Sequence, residues 1–101
     1  MAQRCLSIDA RPRGFYQMGH VPRAISLPRE DFERSYAKLR PLLEQDRNKP
    51  VVVYCSEADC KDSELVAEAL CRLGYLHLSV YKEGWEEWSR AGLPQETGHE
   101  Q

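Results

Sequence analysis

Val51-Val52-Val53-Tyr54 is an unbroken run of β-branched residues ending in an aromatic one, a composition that suits a pleated strand far better than a helix or a loop. No polar residue interrupts it, so both faces of the strand are expected to be covered, as at the centre of a parallel sheet. Asn48-Lys49-Pro50 breaks the chain before it, and Cys55 follows it directly. Around this strand the pattern alternates. Leu6-Ser7-Ile8-Asp9 reads as a short strand, broken by Arg11-Pro12-Arg13-Gly14, because proline fixes φ and glycine is permissive. Ala24-Ile25-Ser26-Leu27 reads as a second, closed by Pro28. From Asp31, Phe32, Tyr36, Leu39 and Leu43 recur at helical spacing, with Pro41 expected to kink or restart the helix.

After Cys55, Leu65, Val66, Ala69, Leu70 and Leu73 mark a helix over residues 63–73, with Asp62 or Ser63 as its cap and Gly74 at its C′ position. Residues 76–81 form a further strand, with Leu76, Leu78 and Val80 on one face and His77 on the other. A short helix over 84–91 carries Trp85 and Trp88 as packing anchors. Strands alternating with helices predict an α/β fold with a mostly parallel central sheet flanked by helices. Ligands of such sheets bind beyond the carboxyl ends of the strands, which is where Cys55 stands.

A chain of 101 residues is enough for one domain, expected over residues 1–94, with residues 95–101 as a polar, flexible tail. The formal net charge of −2 argues against a nucleic-acid binder. The longest purely apolar run is five residues, against about 20 needed to cross a bilayer, so no membrane partner is expected. The first residues show no apolar leader segment, which makes a cytoplasmic location and reduced thiols the expectation for Cys5, Cys55, Cys60 and Cys71. Zinc fits poorly, since no second cysteine pair or spaced histidine pair accompanies Cys55 and Cys60. No metal or cofactor is called for.

Chemistry concentrates in Cys55-Ser56-Glu57-Ala58-Asp59-Cys60-Lys61-Asp62-Ser63, which joins the best strand to a helix N-terminus. The unpaired N–H groups and the dipole of a helix start favour negative charge, and this is one of the ways a thiol pKa is lowered. Cys55 is thus placed as a nucleophile, although a small buried cysteine can also be mere filler.

Four segments resemble the rhodanese family, in order. Ile8-Asp9-Ala10-Arg11 is similar to its apolar-Asp-x-Arg strand end. Tyr16-Gln17-Met18-Gly19-His20-Val21-Pro22-Arg23-Ala24 is similar to its Tyr-x-x-Gly-His-Ile-Pro-Gly-Ala motif. The strand ending at Cys55 is similar to the one leading to its active-site cysteine. Glu83-Gly84-Trp85-Glu86-Glu87-Trp88 with Gly92-Leu93-Pro94 is similar to its late Gly-Gly-x-x-x-Trp…Gly-x-Pro ending. The resemblance implies a rhodanese-like three-layer fold, a catalytic Cys55 inside a loop of backbone amides, and a ping-pong sulfurtransferase reaction. Sulfane sulfur would pass from thiosulfate or a persulfide to Cys55 and then to a thiophilic acceptor. Asp9, Arg11, Gly19 and His20 would mainly hold the scaffold. Arg11, Arg13 and Lys61 are candidates to attract an anionic donor, with internal pairing the favoured reading of Arg11 and a solvated side chain that of Arg13.

The chain departs from that pattern in several places. Lys61 is the seventh residue counting Cys55 as the first, the position of the arginine in related phosphatases and arsenate reductases. A lysine lacks the bidentate fork that grips phosphate, which disfavours phosphatase activity. Glu57, Asp59 and Asp62 outnumber Lys61. A carboxylate ~6 Å from the thiolate would oppose its ionisation by about 1 kcal/mol, and less if it faces solvent. If these groups face inward, a neutral or protein-borne persulfide becomes the better donor. Cys60 is a candidate resolving thiol, and Cys71 reads as a structural residue beside Leu70. Arg23 and Glu83 each replace a family glycine. The family's usual first strand and helix have no counterpart before Leu6: either that strand is dispensable, or the chain is shortened, or a homodimer or a protein partner covers the exposed sheet edge. Two alternatives stay open: a Cys55/Cys60 thiol reductase resembling arsenate reductase, and a non-catalytic module that binds or regulates a partner.

Overall fold

The computed structural model describes residues 5–98. Its centre is a four-stranded, all-parallel sheet in the order β2-β1-β3-β4, built from β1 (Leu6–Asp9), β2 (Ile25–Ser26), β3 (Val51–Tyr54) and β4 (Leu78–Tyr81). The valine run is an inner strand, as its composition requires. Ile8 stands opposite both Val53 and Ile25, and Val53 opposite Val80. Four α-helices connect and flank the strands: α1 (Arg13–Met18), α2 (Phe32–Leu43), α3 (Asp62–Arg72) and α4 (Gly84–Arg90). A 3₁₀ turn, Arg29–Asp31, leads into α2.

The two faces of the sheet are covered unequally. Ile8, Val51 and Val53 pack with Tyr36 and Leu43 of α2 and with Val66 and Leu70 of α3 in the main core. On the opposite face Tyr54 packs with Tyr16 of α1 and Ala24, and Trp85 of α4 joins this second cluster. The expectation that β3 is covered on both faces holds only in part. Val52 is half-buried, and it borders a groove of about 540 Å³ with Ser7, Ser79 and Trp88.

Several expected boundaries move for identifiable reasons. The segment Arg11-Pro12-Arg13-Gly14 is not a plain break, because Pro12 is the residue before α1 and its carbonyl accepts from Phe15 N–H at 3.0 Å. Proline's fixed φ suits a helix entry as well as a turn. Pro41 lies inside an unbroken α2. The carbonyl it deprives of a partner belongs to Ala37, on the exposed side, where water can satisfy it. β4 begins at Leu78, two residues later than the alternation implies, because Leu76 N–H turns away to the Arg47 carbonyl at 3.3 Å and its side chain is exposed. His77 is exposed, as read from the sequence. Gly74 takes φ +100° just past α3, the left-handed conformation expected of a C′ glycine.

Part of the segment expected to be a free tail is tied down. His20 and Glu96 exchange backbone hydrogen bonds of 2.8 and 2.9 Å, and Gly98 N–H donates to the Gln17 carbonyl at 2.8 Å. Residues 99–101 of that segment lie outside the described residues. Among the described residues no helix is long and apolar enough to cross a membrane.

Candidate functional site

Cys55 follows β3 at the carboxyl end of the sheet and is 2% exposed. Its Sγ lies 3.4 Å from Ser63 Oγ, in the first turn of α3. The α3 N-terminus therefore abuts the sulfur, and the Ser63 hydroxyl is placed to donate to it. The sequence offers Asp62 or Ser63 as the cap of α3. Lys61 occupies the cap position instead, with no side-chain cap bond, and Ser63 faces inward, buried. The positive end of a helix and a hydroxyl donor both favour a sulfur anion.

The loop between the two elements is folded outward except at one residue. Ser56, Glu57, Ala58, Asp59 and Lys61 are exposed and Asp62 is half-buried. Cys60 turns inward: its N–H donates to the Glu57 carbonyl at 3.0 Å and its side chain packs against the main core. Cys55 and Cys60 are joined as a disulfide with their Cα atoms 6.4 Å apart, whereas Cys5 and Cys71 are free and exposed. The reading of Cys71 as a packed structural residue is thereby corrected. It lies on the solvent side of α3, next to the buried Leu70 but one residue round the helix. The expectation of four reduced thiols is corrected for Cys55 and Cys60.

The backbone of Cys55 is fixed from the far side by α4. Trp85 N–H donates to the Cys55 carbonyl and Glu86 N–H to the Ser56 carbonyl, both at 2.8 Å. Gly84 makes this approach possible. It is buried at φ +64°, and a Cβ there would overlap the Cys55 carbonyl oxygen and meet the Ser56 carbonyl at 3.1 Å. Only the late family motif hinted at this clamp, and it gave no sign that the motif's target is the cysteine's own peptide.

Asp9 closes the site's scaffold. It accepts from Arg11 Nη2 at 2.7 Å, Arg11 Nε at 3.0 Å, the Arg11 N–H at 2.9 Å and the Tyr54 hydroxyl at 2.9 Å. Arg11 Nη2 also donates to the Gly19 carbonyl at 2.6 Å, and the guanidinium lies 4.8 Å from the Trp85 ring centroid. Arg11 is thus engaged by internal contacts, and it also borders a hollow beside the loop. Arg13 donates to Ser35 Oγ of α2 at 3.0 Å, and Lys61 alone of the three cations belongs to the loop. His20 is buried against Tyr16, with ring centroids 3.7 Å apart, and its Nδ1 donates to the Tyr16 carbonyl at 2.7 Å. This is a scaffold arrangement. Beside the loop, a hollow of about 440 Å³ is lined by Phe15, Met18, Ser56, Glu57 and Trp85. A larger groove, about 610 Å³ between the start of α2 and α3, touches none of residues 55–61. No group of three or more His, Cys, Asp or Glu among the described residues is placed to hold a metal ion.

Burial, with the negative charge of Asp9 next in size, raises the Tyr54 phenol well above its usual value. Burial raises Tyr36 as well, followed by its hydrogen bond with Tyr75. The folded state thus keeps neutral two groups that the unfolded chain ionises near pH 10. Their contribution to stability is whole below about pH 10 and is lost as pH rises beyond it. Urea midpoints measured from pH 8 to 11 are expected to fall above pH 10, and less steeply in Tyr54→Phe.

The rhodanese-like domain profile matches residues 1–91. The chain belongs to this family. It is 32% identical over 72 residues to a putative mitochondrial thiosulfate sulfurtransferase of Schizosaccharomyces pombe, an alignment covering 71% of this chain and 46% of that protein. The chain thus spans less than half the length of that relative. Among solved structures, a Bacillus halodurans protein superposes with a TM-score of 0.79 at 22% identity, over 92% of this chain and 64% of that one. An E. coli rhodanese solved with anions superposes with a TM-score of 0.68 at 27% identity, over 94% of this chain and the whole of that one. The rhodanese-like fold, an α/β sheet flanked by helices, is shared with both.

Proposed function

We propose that this rhodanese-like domain is a sulfurtransferase that carries sulfane sulfur as a persulfide on Cys55. The observation that carries this reading is the placement of Cys55 Sγ: buried at the end of β3, 3.4 Å from Ser63 Oγ and against the start of α3. Once reduced, the Cys55 thiolate attacks the outer sulfur of the donor. The donor's S–S bond breaks, its electron pair leaves with sulfite or a thiolate, and the Cys55 persulfide remains. A thiophilic acceptor then takes the outer sulfur and returns the thiolate. The S. pombe relative, named a putative thiosulfate sulfurtransferase, supports the same reaction class.

The exposed loop carboxylates set no preference between thiosulfate and a persulfide as donor. Glu57 and Asp59 are exposed at the loop, and Lys61 is the cation that accompanies them. Exposure lets salt screen these carboxylates, so thiosulfate stays a donor.

The test is the intact mass of the reduced protein after incubation with thiosulfate and, separately, with glutathione persulfide. The expected result is a gain of one sulfur atom, removed by cyanide as thiocyanate and absent in Cys55→Ser, with the faster donor naming the preferred one. No gain with either donor while Cys55 stays reduced would overturn the sulfurtransferase reading in favour of a binding or regulatory module.

A further inference from the structure

We propose that Cys60 is a second catalytic residue, which expels the sulfur held on Cys55 as hydrosulfide and closes the Cys55–Cys60 disulfide. This rests on the persulfide reading above and adds to it an activity, reductive release of sulfide, that needs no external acceptor for its first turnover.

Three observations place Cys60 for this step. It is the one loop residue between Cys55 and Lys61 whose side chain packs inward, where its loop neighbours are exposed. Its Cα is 6.4 Å from that of Cys55, inside the range that disulfides span, and the two sulfurs are joined with α3 and β3 intact. The loop itself is held at both ends, at Cys55 by the α4 N–H groups and at Cys60 by the turn to Glu57. Ring closure therefore asks little rearrangement of the backbone, and attack within the loop competes with an external thiol at an effective concentration in the millimolar range.

The step balances. The Cys60 thiolate attacks Cys55 Sγ, forming the Cys60–Cys55 bond. The bond from Cys55 Sγ to the outer sulfur breaks, its electron pair leaves with the outer sulfur, and the proton given up by Cys60 completes hydrogen sulfide. The outer sulfur is reduced by two electrons, and the two cysteine sulfurs together are oxidised by two. Hydrosulfide, the group that attack on Cys55 Sγ expels, is a weaker base than the Cys55 thiolate that attack on the outer sulfur would expel, and so it is the better leaving group. Each further turnover consumes an external dithiol, which returns Cys55 and Cys60 to thiols. A protein dithiol of the Cys-x-x-Cys type has that chemistry. The disulfide also shields Cys55 from oxidation past the sulfenic acid when no sulfur is bound.

The test uses the full chain, reduced, loaded with thiosulfate or glutathione persulfide, and desalted so that neither thiol nor cyanide remains. Sulfide release and intact mass are followed together. The wild type is expected to release one sulfide per loaded chain and to end two hydrogens below the reduced mass. Cys60→Ser is expected to keep the added sulfur, release sulfide at least about tenfold more slowly, and still yield thiocyanate when cyanide is added, which shows its site intact. Cys60→Ala is carried alongside and read in the same way. If the variants load and the wild type holds its persulfide as long as they do, or if all release sulfide equally, the role of Cys60 is overturned while the persulfide on Cys55 stands. If wild type and variants alike fail to load, the persulfide reading falls, and this inference with it.

Discussion

Asp9→Ala is expected to lower the stability of the folded chain by about 3–5 kcal/mol, enough to leave a domain of this size partly unfolded at room temperature. Asp9 is fully buried, and its carboxylate accepts from the Arg11 side chain, the Arg11 N–H and the Tyr54 hydroxyl. The loss is large because the substitution leaves the Arg11 guanidinium at 3% exposure with its countercharge gone. The bonds themselves account for less: an intact buried pair is weakly stabilising, while half of one is strongly destabilising. The two effects separate in a double variant. Asp9→Ala with Arg11→Met removes both charges and should cost clearly less than the sum of the single changes, since the residues are in contact. Urea unfolding of the four proteins measures this. Equal and additive losses would mean that Arg11 is satisfied by the Gly19 carbonyl and the Trp85 ring alone. The same variant tests a link to the site, because Arg11 packs on Trp85 and the Trp85 N–H holds the Cys55 carbonyl. Sulfur loading should fall with stability.

How far this site could be read in advance depends on whether its geometry is local. The β3 strand, the position of Cys55 directly after it, the buried Val66 and Leu70 of α3 and the left-handed Gly74 all follow from short-range pattern, and each stands where the pattern puts it, whereas Leu65 and Leu73 of the expected α3 stripe are exposed. Two features resisted because distant segments decide them. Ser63 looks like a helix cap in sequence, yet β3 delivers Cys55 beside it and draws the hydroxyl inward. Cys60 sits among polar neighbours that all face solvent, and nothing in a stretch alternating between charged and small residues marks the one that turns into the core. Helix α1 was hidden differently. Pro12 and Gly14 are breakers by propensity, but a six-residue helix with proline just before it and Tyr16 packed below needs little intrinsic preference of its own.

Gly84→Ala is the second change expected to have a large effect, and its cause differs from that of Asp9. The left-handed φ of +64° alone would cost a β-carbon about 1 kcal/mol. Gly92 supplies the control, since it has a similar φ of +74° and open space around its missing side chain. Gly92→Ala should therefore lose about 1 kcal/mol and load sulfur normally. At Gly84 the added carbon would overlap the Cys55 carbonyl and crowd the Ser56 peptide, and both are backbone atoms that cannot swing aside. Either α4 retreats, lengthening the bonds from the Trp85 and Glu86 N–H groups, or the Cys55–Ser56 peptide rotates and carries Sγ away from Ser63. A total loss of roughly 2–4 kcal/mol is expected. Sulfur loading should also be slower in the fraction that remains folded, measured as the rate of mass gain below the urea transition. A variant that loads at the wild-type rate would show that the peptide after Cys55 can shift without moving the sulfur, and that the clamp from α4 serves stability alone. If Gly84→Ala and Gly92→Ala lose the same amount, the close approach of α4 to the cysteine is not tight in solution, and the left-handed backbone accounts for the whole effect.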